Sequence, residues 1–301
     1  MRIASIQHGG TVRLAIVDDG CFRVAPAAIT DLRDVMAPGD GLRAFAEACH
    51  AGDTFVFDPS LLRAPLLRIQ RDILCAGWNY WDHFEEGRGR REGQEVDRPQ
   101  RPTFFTKGPD AVVGPQDPIA FDAAVSTRWD YEVEVAVIIG RDGRSIPPER
   151  ALDHVFGYCL ANDISLRDLQ RAHGGQWLKG KSIDRTMPLG PWITTADAVD
   201  PAAIDIACEV NGELLQSAST ALMAFDLPTL IAELSWGMTL RAGDVLLTGT
   251  PAGVGNARTP PRYLSEGDVV ISRSPQLGEM RNRMTSVDLH SYEAGSAAGT
   301  M

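Results

Sequence analysis

Short runs of apolar residues, many of them alternating with polar residues, cover most of the chain and predict strands more often than helices. Near the start, residues 2–7 and 12–17 alternate in this way on either side of a His-Gly-Gly turn, and they predict two paired strands. Residues 41–51 predict a helix. The beginning of the chain is therefore expected to form a small module with two strands and one helix.

Further strand candidates follow one another without a regular partner helix for each. The predicted strands cover residues 130–140, 156–164, 192–195, 206–210, 245–248 and 269–272, and the predicted helices cover residues 148–155, 165–173 and 226–236. Because strands and helices do not alternate regularly, a doubly wound parallel sheet is disfavoured. The pattern predicts an α+β fold that is mostly β and is dominated by a mixed sheet.

These elements divide the chain into three predicted parts. Residues 1–70 are expected to form a small N-terminal α+β domain. An apolar run that begins at residue 73 opens the main domain, which is expected to span residues 71–286. Residues 287–301 are small and polar, so we expect a flexible tail there.

Charge and cysteine content change the picture further. The 301 residues carry a formal net charge of −11, which repels nucleic acid and anionic membranes, so neither is expected as a partner. No run of about 18 apolar residues, the length that spans a bilayer, occurs. The five cysteines are scattered without a C-x-x-C spacing, which favours reduced thiols and predicts a cytoplasmic protein.

The most informative segment is the predicted strand at 130–140, which contains two glutamates. Because side chains on a strand alternate between its two faces, Glu132 and Glu134 point to the same face, about 7 Å apart. Two carboxylates beside apolar neighbours are costly unless a positive charge lies between them, and Mg²⁺ and Mn²⁺ prefer such oxygen ligands. From this segment alone, a divalent metal site and a solvent-facing acidic strand face remain equally open.

A second apolar strand, at residues 156–164, ends in Asn162-Asp163 and leads into a predicted helix. A carboxylate at a strand end is well placed to be a third metal ligand. The alternative is that Asp163 only caps the helix that follows.

Six characteristic segments follow one another along two-thirds of the chain. They are G-W-N-Y-W-D-H-F-E-E at 77–86, D-Y-E-V-E-V at 130–135, N-D-I-S-L-R-D-L-Q at 162–170, K-S-I-D-R-T-M-P-L-G-P at 181–191, V-N-G-E-L-L-Q at 210–216 and L-T-G-T-P-A-G-V-G at 247–255. Together they resemble the fumarylacetoacetate hydrolase superfamily, and in particular its bacterial-type acylpyruvases and 2-hydroxyhepta-2,4-diene-1,7-dioate isomerases. The resemblance runs from about residue 73 to residue 284.

The resemblance implies a catalytic domain built as a roll of mixed β-sheet, a homodimer, and one Mg²⁺ or Mn²⁺ ion in each chain. Its functional residues carry over by position. The metal ligands would be Glu132, Glu134 and Asp163, and Lys181 would be a catalytic residue beside the metal. His83 and Glu86 would form the catalytic acid–base dyad, and Tyr80, Arg167, Gln170 and Thr250 would contact the substrate.

The resemblance and the dyad together lead to an expected reaction. Because they are spaced i, i+3, His83 and Glu86 meet on one face of a helical turn and could take a proton from water. We therefore expect a hydrolase that cleaves a C–C bond in an acylpyruvate-type 2,4-dioxo acid, a small anionic 2-oxo acid substrate, through a metal-stabilised enolate. The alternatives are a 2-oxo acid decarboxylase, a tautomerase or isomerase, or a dehydratase on the same site, and a ligand-binding relative without catalysis.

Three further segments need an interpretation. Residues 85–101 are almost all polar, which is typical of a solvated loop, but their position after the dyad also fits a mobile lid that orders when an anion binds. The segment K-G-P-D at 107–110 lacks the serine that many relatives have there, so local substrate contacts are expected to differ. Residues 175–182 fit G-x-x-x-x-G-K-S, but Pro188 follows where a phosphate loop needs a helix, so nucleotide binding is not expected.

Overall fold

The computed structural model of the protein describes residues 1–36, 39–66, 68–91 and 95–292. Strands account for 36% of the described residues and helices for 21%, and the sheets are mixed. The predicted α+β, mostly β fold class is therefore confirmed. Of the predicted tail at 287–301, residues 293–301 lie outside the described residues.

The strands are short and are numbered in chain order. They are β1 (Arg2–His8), β2 (Thr11–Asp18), β3 (Cys21–Val24), β4 (Thr54–Val56), β5 (Leu62–Arg63), β6 (Ile73–Gly77), β7 (Thr103–Lys107), β8 (Val112–Val113), β9 (Ile119–Phe121), β10 (Trp129–Asp130), β11 (Val133–Ile139), β12 (Gly143–Arg144), β13 (Val155–Asn162), β14 (Ser165–Leu166), β15 (Met187–Thr195), β16 (Asp205–Val210), β17 (Glu213–Ser219), β18 (Thr239–Leu240), β19 (Val245–Leu247), β20 (Val269–Ser274) and β21 (Gly278–Ser286).

The α-helices are few, and α2 is the longest of those in the described ranges. They are α1 (Leu32–Val35), α2 (Gly41–His50), α3 (Trp81–Glu86), α4 (Arg167–Ala172), α5 (Leu178–Lys181) and α6 (Leu227–Ser235). Short 3₁₀ helices occupy Pro59–Leu61, Pro109–Ala111, Pro148–His154, Ala196–Ala198, Thr220–Leu222 and Gly255–Ala257. The helix predicted at 148–155 is thus 3₁₀, and the helix predicted at 165–173 begins only at Arg167, after β14.

One large sheet organises the molecule, in the strand order β4-β3-β2-β1-β15-β13-β11-β19-β6-β7, with β5 beside β1 and β8 beside β15. The pair β19–β6 is parallel, whereas β11 pairs antiparallel with both β13 and β19. The N-terminal strands join the same sheet through the antiparallel pair β1–β15. A second, five-stranded sheet in the order β17-β16-β20-β21-β9 packs beside the large one.

Strand β11 is buried on both faces. Val133, Val135 and Val137 belong to the core that includes the second sheet, whereas Ala136 and Ile138 belong to the core shared with the N-terminal strands. All five side chains have no exposed surface. The alternation that the sequence showed is therefore real, but it separates two apolar cores rather than a core and the solvent.

The strand predicted at 130–140 is interrupted between β10 and β11. The backbone amide of Tyr131 donates to Asp130 Oδ1 at 3.0 Å, and that of Glu132 donates to Asn162 Oδ1 at 2.9 Å. Side-chain oxygens thus take two amides that would otherwise join a strand ladder. The interruption lies at the start of the acidic segment.

Among the described residues, no helix combines the length and the apolar composition that crossing a bilayer requires.

Replacing Val135 with alanine tests the role of β11. Val135 has no exposed surface, so losing two methyl groups leaves a cavity, and the free energy of unfolding should fall by about 2 kcal/mol. Val56→Ala is the matched control, because Val56 is 76% exposed and its truncation should change stability by less than about 0.5 kcal/mol. Urea unfolding measures both, and an equal effect of the two substitutions would contradict the central position of β11.

Candidate metal centre and catalytic cleft

Three acidic side chains meet at one end of the β11–β13 pair. Glu132 precedes β11, Glu134 lies within it and Asp163 directly follows β13. One carboxylate oxygen from each lies within 4.8 Å of the other two, and all three residues are at most 4% exposed. The backbone brings them together, because the amide of Asp163 donates to the carbonyl of Glu132 at 2.8 Å.

Three buried cations surround these carboxylates. Lys181 Nζ lies 2.6 Å from both Glu132 Oε2 and Asp163 Oδ2. Arg167 Nη2 lies 2.7 Å from Glu132 Oε1, and Lys107 Nζ lies 2.9 Å from Asp163 Oδ1. Buried charges are tolerated only when they are paired in this way.

The pKa values show that the buried cations do not stabilise the carboxylates equally. Burial opposes ionisation of Glu132, but Lys181 and Arg167 outweigh it and lower the pKa of its carboxyl to about 2. Burial raises the pKa of Glu134 well above its usual value, and the charges of Asp163 and Glu132 add to this. Burial alone would lower the pKa of Lys181, yet Asp163 and Glu132 raise it. Glu134 is therefore the carboxylate that most needs a further positive charge.

The donor set fits a hard divalent cation. All three ligand candidates are carboxylate oxygens, the type that Mg²⁺ and Mn²⁺ prefer. An ammonium group already bridges Glu132 Oε2 and Asp163 Oδ2, which shows that this position attracts positive charge. Glu134 Oε2 accepts the amide of Gly249 at 2.6 Å, so its other oxygen remains for a cation.

The predicted dyad forms on α3. His83 Nδ1 lies 2.7 Å from Glu86 Oε1, and Glu86 Oε2 accepts the amide of Gly253 at 2.8 Å. Their side chains are 14% and 19% exposed. Because the carboxylate accepts from Nδ1, the opposite ring nitrogen, Nε2, is left to exchange a proton.

The dyad lines one cleft together with the two glutamates of the acidic cluster, Glu132 and Glu134. Arg167, Gln170 and Thr250, which were predicted as substrate contacts, and Lys181, which was predicted as catalytic, also line this cleft. Thr250 Oγ1, however, donates to the carbonyl of Val133 at 3.0 Å and accepts from Gln216 at 2.8 Å, so the hydroxyl serves the fold as well.

Tyr80 does not line the cleft together with the other predicted substrate contacts. It is 2% exposed, and its hydroxyl has no hydrogen-bond partner among the described residues. Burial raises the pKa of this phenol, and the Glu134 charge raises it further. Tyr80 is therefore a neutral group behind the cluster.

Sequence reasoning missed three residues that hold the site together. Lys107 is fully buried, although the K-G-P-D segment indicated only an altered substrate contact. Asp130 accepts Arg167 Nε at 2.8 Å and the amides of Gly255 and Asn256 at 2.7 and 2.9 Å, which ties the cleft wall to α4. Arg91 lines the cleft and is 6% exposed. Its position within an almost wholly polar segment gave no sign of burial.

The phosphate-loop-like segment and the arginine-rich segment can also be placed. Helix α5 is only four residues long, and it ends with Lys181 inside the acidic cluster. The segment at 175–182 therefore does not form a phosphate loop. In the 85–101 segment, residues 92–94 lie outside the described residues, and Arg90 donates to the carbonyls of Asn256 and Arg258 at 2.9 and 2.6 Å. Whether an anion orders this segment stays a prediction.

Two curated relatives share much of this sequence. Oxaloacetate tautomerase YisK of Bacillus subtilis (strain 168) is 43% identical over 224 residues, which cover 74% of this chain and 72% of the relative. The mitochondrial oxaloacetate tautomerase fahd2 of Xenopus laevis is 44% identical over 281 residues, which cover 92% of this chain and 83% of the relative.

Two solved structures share the fold. A fumarylacetoacetate hydrolase from psychrophilic Exiguobacterium antarcticum has a TM-score of 0.81 and 40% identity, covering 95% of this chain and all (100%) of its own. Maleylpyruvate hydrolase from Sphingobium sp. SYK-6, in complex with manganese(II) and pyruvate, has a TM-score of 0.76 and 30% identity, covering 96% and 100%. A relative thus holds a divalent metal, and this chain has an acidic cluster that can bind one.

The curated relatives contradict the predicted cleavage of a C–C bond. Both are tautomerases, which move a proton and break no carbon–carbon bond, so the hydrolase prediction was wrong and its tautomerase alternative agrees better. The error has a physical origin. A metal, a lysine and a His–Glu pair serve any reaction through an enolate, and these residues do not determine what the enolate does next.

The family itself is confirmed. Residues 72–285 match the sequence model of the fumarylacetoacetate (FAA) hydrolase C-terminal family, which is most of the chain. The two solved structures cover 95% and 96% of this chain. Sequence match, fold and acidic cluster agree, and the chain belongs to the fumarylacetoacetate hydrolase family.

Proposed function

We propose that the protein is a divalent-metal-dependent oxaloacetate tautomerase, which interconverts the enol and keto forms of this 2-oxo acid. The observation that carries the proposal is the buried cluster of Glu132, Glu134 and Asp163, whose two glutamates line one cleft with the His83–Glu86 dyad. The activity of the tautomerase relatives, which are 43% and 44% identical, supports the same choice. The expected homodimer, the two-domain division and the cytoplasmic location stay predictions.

The proposed reaction requires one proton to leave oxygen and another to join carbon. Ketonisation removes the proton of the enol hydroxyl at C2 and adds a proton at C3, so atoms and charge balance without water or a redox partner. A bound Mg²⁺ or Mn²⁺ would supply the positive charge that stabilises the enolate between these two transfers. His83, held by Glu86, is the group in the cleft that is placed to carry a proton.

Charge explains why an anionic substrate suits the cleft. When all are ionised, the carboxylates of Glu132, Glu134, Asp163 and Asp130 and the cations Lys107, Lys181 and Arg167 together leave one negative charge. A divalent cation turns this into one positive charge, which matches the carboxylate of a 2-oxo acid. Oxaloacetate carries a second carboxylate, which needs another cation.

Arg91 is the cation we assign to that second carboxylate. Its guanidinium lies 4.0 Å from the Phe84 ring centre and 5.3 Å from that of Trp78, so aromatic rings fix its plane. Among the described residues, its carboxylate partner is Glu95, which is 48% exposed and 3.5 Å away. The other described buried cations, by contrast, each have a buried carboxylate within 2.9 Å. An anion in the cleft would compensate the buried charge of Arg91.

Glu134→Gln should abolish divalent-metal binding and, with it, tautomerisation. The amide keeps the shape of the side chain but removes the charge that a cation would neutralise. Isothermal titration with Mn²⁺ measures binding, and Glu279→Gln, on the exposed surface of β21, is the control that should bind as the wild type does. EDTA should remove the wild-type activity, and Mn²⁺ or Mg²⁺ should restore it. Full activity in metal-free Glu134→Gln protein would contradict the metal site.

His83→Ala should slow oxaloacetate tautomerisation by about 10²–10⁴-fold, because the proton carrier is lost. Metal affinity should not change, since His83 is not among the three carboxylate ligands. The rate is followed by the loss of enol absorbance under saturating Mg²⁺. His173→Ala, at the exposed end of α4, serves as the control and should keep the wild-type rate. Wild-type turnover in His83→Ala would place the proton carrier elsewhere.

Arg91→Gln should weaken recognition of the second carboxylate. We expect kcat/KM for oxaloacetate to fall by about tenfold to a hundredfold, the usual effect of losing a charged hydrogen bond. The 4-methyl ester of oxaloacetate lacks that charge, so its kcat/KM should hardly change. Arg88→Gln is the matched control, because the Arg88 side chain is 63% exposed and pairs with Glu85. An equal loss for both substrates would contradict the assignment of Arg91.

A further inference from the structure

Asp163 is held by two lysines, one on each carboxylate oxygen. Lys181 Nζ contacts Oδ2 at 2.6 Å, the oxygen that faces Glu132 across the cluster. Lys107, the last residue of β7, contacts Oδ1 at 2.9 Å and also donates to the carbonyl of Ile164 at 3.1 Å. Lys107 has no exposed surface and does not line the cleft. It therefore acts on Asp163 from the side away from the substrate.

The other two carboxylates show the same division of their oxygens. Glu132 Oε1 lies 2.7 Å from Arg167 Nη2, and Glu134 Oε2 accepts the amide of Gly249 at 2.6 Å. Each member of the cluster thus has one oxygen held by a group outside the cluster. The remaining oxygens of Glu132 and Asp163 are bridged by Lys181, which lines the cleft, so the oxygen of Asp163 that is held from behind is the one that Lys107 contacts.

We propose that Lys107 is a positioning residue that restricts Asp163 to a single metal-binding oxygen. The proposal rests on the metal site proposed above and adds a residue to it. Mg²⁺ binds near six oxygens. Three carboxylates that each give one oxygen leave room for a substrate that chelates through its carboxylate and 2-oxo oxygens. An Asp163 that gave both oxygens would take one of those positions.

The lysine is suited to this task by its charge and by its rigidity. A buried ammonium without a counter-charge is costly, so Lys107 keeps its contact with Asp163 Oδ1 rather than releasing it. The second bond, to Ile164, fixes Nζ against the chain that follows β13. Contacts of this kind behind a metal ligand orient it, and their removal typically costs about 10–100-fold in metal affinity or activity.

The first test compares Lys107→Met with Lys179→Met, whose lysine lies in α5 and is exposed. In Lys107→Met, Asp163 Oδ1 is released, so Mn²⁺ affinity by isothermal titration should fall by about 10–100-fold. The ¹⁷O-water relaxation of the bound Mn²⁺ should report one fewer exchangeable water, because Asp163 now binds through both oxygens. Lys179→Met should match the wild type in both measurements. A general loss of packing would not change the number of waters on the ion.

A second test does not need the Lys107→Met variant, so it holds even if that variant does not fold. With ¹³C-labelled aspartate and bound Mn²⁺, the separation of the antisymmetric and symmetric carboxylate bands distinguishes one-oxygen from two-oxygen binding. The proposal requires the wide, one-oxygen separation, with Asp163→Asn assigning the band. A two-oxygen Asp163 in the wild type, or unchanged affinity and water number in Lys107→Met, overturns the role of Lys107 alone. A wild type that binds no Mn²⁺ overturns the metal site as well.

Discussion

Three carboxylates cannot be buried within 4.8 Å of one another unless positive charge surrounds them, and the remainder of the site follows from this constraint. Lys107, Lys181 and Arg167 each place a cation within 2.9 Å of a cluster oxygen. They leave Glu134 with a pKa raised by burial and by its acidic neighbours. A divalent ion would bring the positive charge that the cluster still lacks. The protein cations and the ion would therefore neutralise the three carboxylates together.

The fold delivers these groups from elements that are far apart in sequence. β11 and β13 bring the acids together as antiparallel neighbours, β7 contributes Lys107, α4 contributes Arg167 and α5 contributes Lys181. Helix α3 places the His–Glu pair at the same cleft. The interruption before β11 also shapes the site. There the backbone amides of Tyr131 and Glu132 donate to the side chains of Asp130 and Asn162 rather than to a neighbouring strand. Strands and the residues next to them therefore carry the three acids and Lys107, whereas short helices carry Arg167, Lys181 and the dyad.

The sequence predicted what depends on local pattern. The alternation from Glu132 to Ile139 gave the shared face of the two glutamates, and the His-x-x-Glu spacing gave a contact that the structure shows at 2.7 Å. Lys107 could not be found in this way, because its partner Asp163 lies 56 residues later in the chain. Tyr80 was expected at the substrate, yet it is buried with its hydroxyl unpaired among the described residues. The sequence pattern could not predict the reaction either, since the same residues can serve hydrolysis and tautomerisation, and it is the names of the relatives that argue against hydrolysis.

The proposed function depends on one divalent ion bound between Glu132, Glu134 and Asp163. The most direct measurement is the anomalous scattering of Mn²⁺ in crystals grown with the metal and oxalate, an unreactive mimic of the 2-oxo acid head. A single strong peak is expected within coordination distance, about 2.2 Å, of an oxygen from each of these three residues, with oxalate bound to the same ion. A peak at the other acidic group, Asp122, Asp288 and His290, with none between the three buried carboxylates, would contradict it.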